Sequence, residues 1–558
     1  MDKIDQKKLG KLRQGHGEIA NHVIDEFAAG HISRREFIRR GTVIGISIPV
    51  LGAIASACGS STGTTPTTAA PGGGTSGATI RAGIVLPTGA INPVTVADQG
   101  GLDMLAQTGE YLCLSDQNLN LRAVLATSWS ANSGGDVWTF KLRPGVKFHN
   151  GQTMTADDVV YTYKLQTDPT GKSNALSAFT GVLTPDGVTK VDAETVQFKL
   201  AAPNGNFPYL CSSDNYNMII LPNNFDPTSW QSSFIGTGPF VLKSYTAKVG
   251  ASFTRNESYW GTKALPSETI FTFYAEQPAQ ITALQSGEID VIGQFSESGG
   301  EALLAGGYNV IKLRSSAHRE LSMRCDMAPF KDNRVRQAMA LALNRPATIK
   351  ALFDGLADIG NDSPFAPVFP STNTTVPQRA LDIAQAKSLL SAAGYASGFS
   401  TTLDTEMFLE IPQFAEIIKQ AATGIGIDIT LNIQSSSAYY GDAVFGKSDW
   451  LDGIMSLVDY GHRSVPNVFL TAPLQSAGTW NAAHFKNPQY DTLSAQYVAA
   501  VDLSTQRTIA GQIETLLLKE TPIIYAYFYN YLTATAKTVS GVYPTAIGHL
   551  FLYGASKS

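Results

Sequence analysis

Gly441–Ser448 reads GDAVFGKS and fits G-x-x-x-x-G-K-[ST], the spacing of a phosphate-cradling loop. Such a loop works only between a strand and a helix, where backbone N–H groups converge on the phosphates. Here SSSAYYGDAVFGKSDW predicts a short helix, then a turn at Gly446-Lys447, then a strand in LDGIMSLV. The order is reversed, so nucleotide chemistry is not expected. No H-E-x-x-H and no S-x-x-K occurs. The eight histidines are scattered; His462 and His484 share one region, but two ligands are too few for a metal site, and both read as solvated loop histidines. No catalytic constellation remains, and neither a cofactor nor a metal is expected.

A different chemistry is spelled near the start. Arg34 and Arg35 in SRREFIRR precede a short apolar run, Gly41–Ala57, diluted by glycines and Pro49. The run is too weak for a membrane span. With its basic flank it reads as a twin-arginine export signal. The run ends at Ala55-Ser56-Ala57-Cys58. Those residues read both as a lipobox, with Cys58 lipidated, and as an ordinary A-x-A cleavage site. The Gly/Ser/Thr/Pro-rich stretch Gly59–Thr79 is a flexible tether of the kind a lipid-anchored domain needs, which favours the lipoprotein. The expected place of work is outside the cytoplasmic membrane, anchored to it.

Charge agrees with that assignment in what it excludes. The chain has 41 Lys/Arg and 46 Asp/Glu; without residues 1–57 it keeps 32 and 40, a net charge of −8. Phosphate backbones are held by clustered Lys and Arg, so a nucleic-acid partner is not expected. Four cysteines, Cys58, Cys113, Cys211 and Cys325, form no C-x-x-C. Beyond Cys58 they allow either one disulfide and a thiol or three buried thiols.

The elements that must position any site alternate between helix and strand. In DVWTFKL, Trp138, Phe140 and Leu142 alternate with Val137, Thr139 and Lys141, a half-buried strand, with turns at Pro144-Gly145 and Asn150-Gly151. Thr155 and Asp158 open a helix in TADDVVYTYKLQ. VDAETVQFKL reads as a further strand. In DNRVRQAMALALNR, Val335, Ala338, Met339 and Ala342 fall on one helical face. IPQFAEIIKQAATGIGIDITLNI is a helix ending near Gly424, then a strand through Ile425, Ile427, Ile429, Leu431 and Ile433. STQRTIAGQIETLLLKETPIIYAYFYN repeats the step. An α/β class with mixed sheets follows.

Five stretches in order carry a resemblance: WTFKLRPGVKFHNGQTMTADDVVYTYK after Ala126–Trp129, Gly236–Gly261, Ile281–Val291, Phe330–Arg345, and NPQYDTLSAQYVAAVDLSTQRTIAGQIETLLLKETPIIYAYF. Together they resemble the extracellular solute-binding proteins of family 5, the dipeptide, oligopeptide and nickel group serving ABC importers. The resemblance implies a two-lobed type II periplasmic-binding fold that closes on a ligand between the lobes. Residues 1–57 would be the signal and 58–78 the anchor and linker. Residues 79–315 and 526–558 would form lobe one, and 316–525 lobe two. The expected function is capture of an oligopeptide or similar polar solute for an ABC permease, by a monomer without catalysis; a metal chelate, a sugar, or an enzyme on the same fold are the alternatives.

Loop residues at strand ends line ligand crevices in α/β folds, so Ser456–Leu470 is the stretch to examine. By the resemblance, Asp459 pairs with a peptide's α-amino group, and Arg463 is placed to neutralise it. Trp480 suits stacking on a ligand; Tyr460 and Asn481 are candidates by adjacency, and Asn92 by its loop after an early strand.

Overall fold

The computed structural model describes residues 77–89, 91–226, 232–297 and 299–558. Arg34, Arg35 and Cys58, and with them the expected signal and anchor, lie outside the described residues. Among the described residues no helix is long and apolar enough to cross a membrane.

The chain opens with β1 (Thr79–Val85) and helix α1 (Gln99–Thr108). A four-stranded sheet follows: β2 (Ala126–Ala131), β3 (Val137–Leu142), β4 (Val188–Asp192) and β5 (Thr195–Lys199), with helix α2 (Ala156–Thr167) between β3 and β4. Its order is β2-β3-β5-β4, and every pairing is antiparallel. Strand β3 buries Trp138, Phe140 and Leu142, as the alternation predicts. Gly145 and Gly151 hold the left-handed conformations their turns require. Thr155 and Asp158 form a complete capping box on α2. VDAETVQFKL differs from its single-strand prediction. It is a hairpin, β4 to β5, because Asp192 accepts from the Glu194 N–H and the Thr195 hydroxyl and folds the chain back.

The large sheet of lobe one adds β6 (Phe240–Thr246), β7 (Gly250–Arg255), β8 (Glu268–Tyr274), β9 (Val291–Phe295) and β10 (Tyr308–Leu313). Lobe two begins at β11 (His318–Met323), followed by helix α3 (Asn333–Ala342), β12 (Ala357–Ile359) and β13 (Phe399–Glu406). Then come helix α4 (Ile411–Thr423), β14 (Ile427–Gln434), β15 (Met455–Tyr460), helix α5 (Leu503–Glu520) and β16 (Ile523–Tyr529). Strand β17 (Tyr531–Ala536) returns to lobe one.

The spatial orders are β10-β17-β9-β1-β8-β7-β6 and β12-β16-β11-β15-β13-β14. Both sheets are mixed: β1 runs parallel to β8 and β9, and β13 parallel to β14 and β15. The chain therefore crosses between sheets at residues 314–317 and again at Asn530. The boundary expected at 526 falls inside β16, which pairs with β11 and β12 to its end, so the return lies four residues later.

Strand β11 is buried over its whole length, covered on both sides as a central strand must be. One face packs Leu321, Met323, Met455 and Leu457 with Val335, Ala338 and Met339 of α3 and Phe414 and Ile418 of α4. The other packs Val458 and Tyr460 with Phe469, Ile513 and Leu517. Residues 318 and 319 therefore point to opposite sides, as do 459 and 460.

Candidate ligand site

Strand register decides which polar groups meet at the junction of the lobes. In the β11–β15 ladder Arg319 lies opposite Asp459 and His318 opposite Tyr460. Arg319 sits two residues after the first crossing, and Tyr529 one residue before the second. Its guanidinium is only 1% exposed, and it pairs with Asp459 through Nη1. Its Nε lies 2.9 Å from Glu410 Oε1, and Nη2 donates to Oε2 at 3.2 Å. The guanidinium carbon lies 4.6 Å from the Tyr529 ring centroid, a cation–π contact, and Nη1 donates to the Tyr529 hydroxyl at 3.1 Å.

Glu410 stands immediately before α4 and also accepts from the Tyr527 hydroxyl at 3.4 Å. Glu406, the last residue of β13, accepts from the Tyr440 hydroxyl at 2.7 Å and from Ser436. Two carboxylates thus pair with one guanidinium, and a third, Glu406, lies close enough to Asp459 to act on it. Burial pushes the Asp459 carboxyl above its ordinary range; Arg319 opposes the rise, while Glu406 and Glu410 add to it. From lobe one, Glu297, two residues beyond β9, is lifted to about 7 by burial, and Glu410 adds to that rise. Asp459 remains 29% exposed. Beside Glu410, Met407, Phe408 and Leu409 are exposed, and Leu409 holds a left-handed backbone with φ 43°.

The structure sorts the residues singled out in the sequence. Asp459 is at the junction, but its neutralising partner is Arg319. Arg463 instead donates to the His462 carbonyl. Tyr460 turns to the opposite face, stacked on His318 with centroids 5.6 Å apart, and its ring meets the edge of Trp480. Trp480 is 36% exposed. Asn481 is buried, and its amide bonds the Gln475 and Phe485 carbonyls and the Phe485 N–H, which pins its loop. Asn92 lies in a turn of lobe one. Its carbonyl groups cap the 92–96 turn, which Asn174 and Asn217 fasten inside lobe one.

His462 and His484 do not form a pair. His462 is buried rather than solvated; its Nδ1 accepts from the Ser316 N–H at 3.1 Å, and burial, with Arg463 nearby, lowers it to about 3. His484 lies against the Leu451 carbonyl and Asp326. The Gly441–Ser448 loop holds no phosphate cradle: the Gly446 and Ser448 N–H groups donate to the Asp452 carboxylate of this same chain. A short helix, Asp449–Asp452, stands where the strand was expected to begin, because Asp452 gathers those N–H groups into a turn. Cys113, Cys211 and Cys325 are free thiols.

Arg319, Glu410 and Glu406 escaped the sequence analysis. One signal was present: a charged triplet, His318-Arg319-Glu320, inside a strand otherwise patterned for burial, since an arginine there needs a charged partner.

Known proteins share this architecture. The dipeptide-binding protein DppE of Bacillus subtilis is 25% identical over 468 residues, covering 78% of this chain and 83% of its own. Heme-binding protein A of Haemophilus influenzae is also 25% identical over 468 residues, covering 78% and 84%. The structure of MppA, a periplasmic murein tripeptide-binding protein in an unliganded open form, superposes with a TM-score of 0.76 at 22% identity, over 86% of this chain and 97% of that one. The fold is that of the type II periplasmic-binding proteins. The model of the bacterial extracellular solute-binding proteins, family 5 (Middle), matches residues 120–476, well over half of the chain, and the chain belongs to that family.

Proposed function

We propose that the chain is the solute-capturing subunit of an ABC importer and that its solute is a peptide with a free α-ammonium group. The observation that carries this is charge at the lobe junction: Glu410 and Asp459 share the cation Arg319, Glu406 adds negative charge beside Asp459, and Glu297 is contributed by the other lobe. An ammonium group supplies the missing positive charge and donates charge-assisted hydrogen bonds to carboxylates. Asp459 meets it, and Arg319 holds Asp459 and Glu410 in place. The exposed Met407, Phe408 and Leu409 beside Glu410 offer apolar wall for peptide side chains. Relatives named for a dipeptide and a murein tripeptide support a peptide over a sugar or a metal chelate.

Capture needs no bond chemistry, so the protein acts as a monomeric binder, not an enzyme. Export through Arg34 and Arg35 and lipidation of Cys58 would hold it outside the membrane beside its permease. Replacing both arginines by lysine should then block export, and Cys58→Ala should release the protein from the membrane fraction.

The test is native mass spectrometry of the chain from Gly77 onward, before and after denaturation. A released mass that sequences as a peptide is expected. Release of a sugar, a metal chelate or a heme would overturn the peptide assignment.

A further inference from the structure

Lobe one touches lobe two on the face of its sheet that turns away from Arg319. Two segments make the contact. The turn at 204–206 is fixed in lobe one: Trp138 Nε1 donates to the Asn204 carbonyl at 3.1 Å, and the adjoining Phe207 packs among Trp138, Phe140 and Phe198. From that turn the Gly205 N–H donates to the Val498 carbonyl of lobe two at 2.8 Å. A Cβ on Gly205 would stand 1.8 Å from the Ala500 carbonyl oxygen, so only glycine permits the approach. Asn206 is 5% exposed, and both ends of its carboxamide are used across the joint. Its Nδ2 donates to Asn467 Oδ1 at 2.7 Å, and its Oδ1 accepts from Gln506 Nε2 at 3.0 Å. The second segment is the turn at 116–120. Its Leu119 has a left-handed backbone, φ 59°, and is buried in the lobe-two cluster that holds Val458, Tyr460 and Phe469. The Tyr209 hydroxyl donates to the Leu119 carbonyl at 2.6 Å.

These contacts exist while the opposite face is uncovered. Asp459 is 29% exposed, and Met407, Phe408 and Leu409 stand in solvent. The sheet of lobe two separates the two faces, and the crossings at 314–317 and Asn530 enter it at the start of β11 and the end of β16. A rotation about the crossings that brings lobe one over Arg319 and Asp459 therefore draws it away from Asn467 and Gln506. Apart from Leu119, the bonds of the joint are polar, and water replaces each partner when it parts.

We infer that the Asn206–Asn467–Gln506 contact, together with the seating of Leu119, is a latch that holds the lobes open until solute is captured. The inference rests on the reading of the Arg319 face as the capture face. Part of the solute's binding free energy then goes into undoing the latch, and a weakened latch raises the population of the closed form.

The test is small-angle X-ray scattering of the full chain without solute, with native mass spectrometry to verify that none is bound. Asn206→Ala leaves Asn467 and Gln506 without partners only while the latch is shut. It should therefore shift the ensemble toward closure and give a smaller radius of gyration than the wild type. Asn467→Ala acts from the other lobe and should shift the radius the same way; it carries the test if the Asn206 variant fails to fold. A radius equal to or larger than that of the wild type, in a variant whose circular dichroism is unchanged, would overturn the latch. No peptide enters the measurement, so its outcome is separate from that of peptide recognition. An unchanged radius sinks the latch even where Asp459 binds an ammonium group, and a smaller one upholds it whatever the solute.

Discussion

Each lobe encloses carboxylate and arginine beside an aromatic ring, and the two arrangements differ in one respect. In lobe one Glu110 accepts from the Tyr259 hydroxyl at 2.6 Å, Trp260 Nε1 at 2.8 Å and the Thr237 hydroxyl at 2.8 Å. Arg143 lies 4.5 Å from the Trp260 ring centroid. In lobe two Arg319 lies over Tyr529 at nearly the same distance, but it serves both Asp459 and Glu410, and these carboxylates stay partly exposed. The Glu110 cluster is buried and supplied with three donors, so it has nothing left to offer a ligand. The Arg319 cluster has more negative charge than its own cation covers, and it faces solvent. Satisfaction marks the first as structural; its shortfall is the ground on which the ligand site is proposed at the second.

The largest effect expected to break this contrast is on Arg319. Arg319→Ala leaves Asp459 and Glu410 facing each other without a cation and should cost about 3–5 kcal/mol in denaturant unfolding. A loss under 1 kcal/mol would mean that the cluster is not an ion network. Asp459→Asn should weaken peptide binding about 10- to 100-fold, the worth of a charged hydrogen bond, with unfolding stability nearly unchanged; titration calorimetry reads the first and denaturant melts the second. Glu110→Gln should show the reverse, a loss of about 1–3 kcal/mol of stability from mismatched donors with peptide affinity intact.

The smallest effect is on pH dependence. Burial raises Glu110 from its ordinary 4.5 to about 7, against the pull of its three donors. The folded state therefore holds this proton more tightly than the unfolded one. The stability it contributes is fully present below pH 4.5 and is lost as pH rises through about 7. Glu110→Gln should flatten stability against pH between those values, and a slope identical to wild type would remove Glu110 as its source.

What the sequence made legible was local. Thr155 and Asp158 are three residues apart, and their capping box forms as the letters predict. The helix ending at Gly424 and the strand after it are also set by a short periodic run, and they stand as α4 and β14. Asp459 was visible because a strand ends there and the family resemblance points to it. Its partner was not: Arg319 is 140 residues away from Asp459, and only the β11–β15 register joins the two. Adjacency misled for the same reason. Tyr460 follows Asp459 in sequence, but strand alternation turns it to the opposite face. Asn481 follows Trp480, yet its amide is spent on its own loop. The second crossing was placed early because Ile523–Tyr529 is apolar throughout, and no composition change separates β16 from β17.

The most direct test is calorimetric titration of the ligand-free protein with a peptide it has been found to carry, and with the same peptide acetylated at its N-terminus. Acetylation removes the positive charge and leaves the side chains untouched. If Asp459 and Glu410 recognise an α-ammonium group, the acetylated peptide should bind at least about tenfold more weakly, and Asp459→Asn should erase most of that difference. Equal affinity of the wild type for the two peptides would contradict ammonium recognition at the lobe junction.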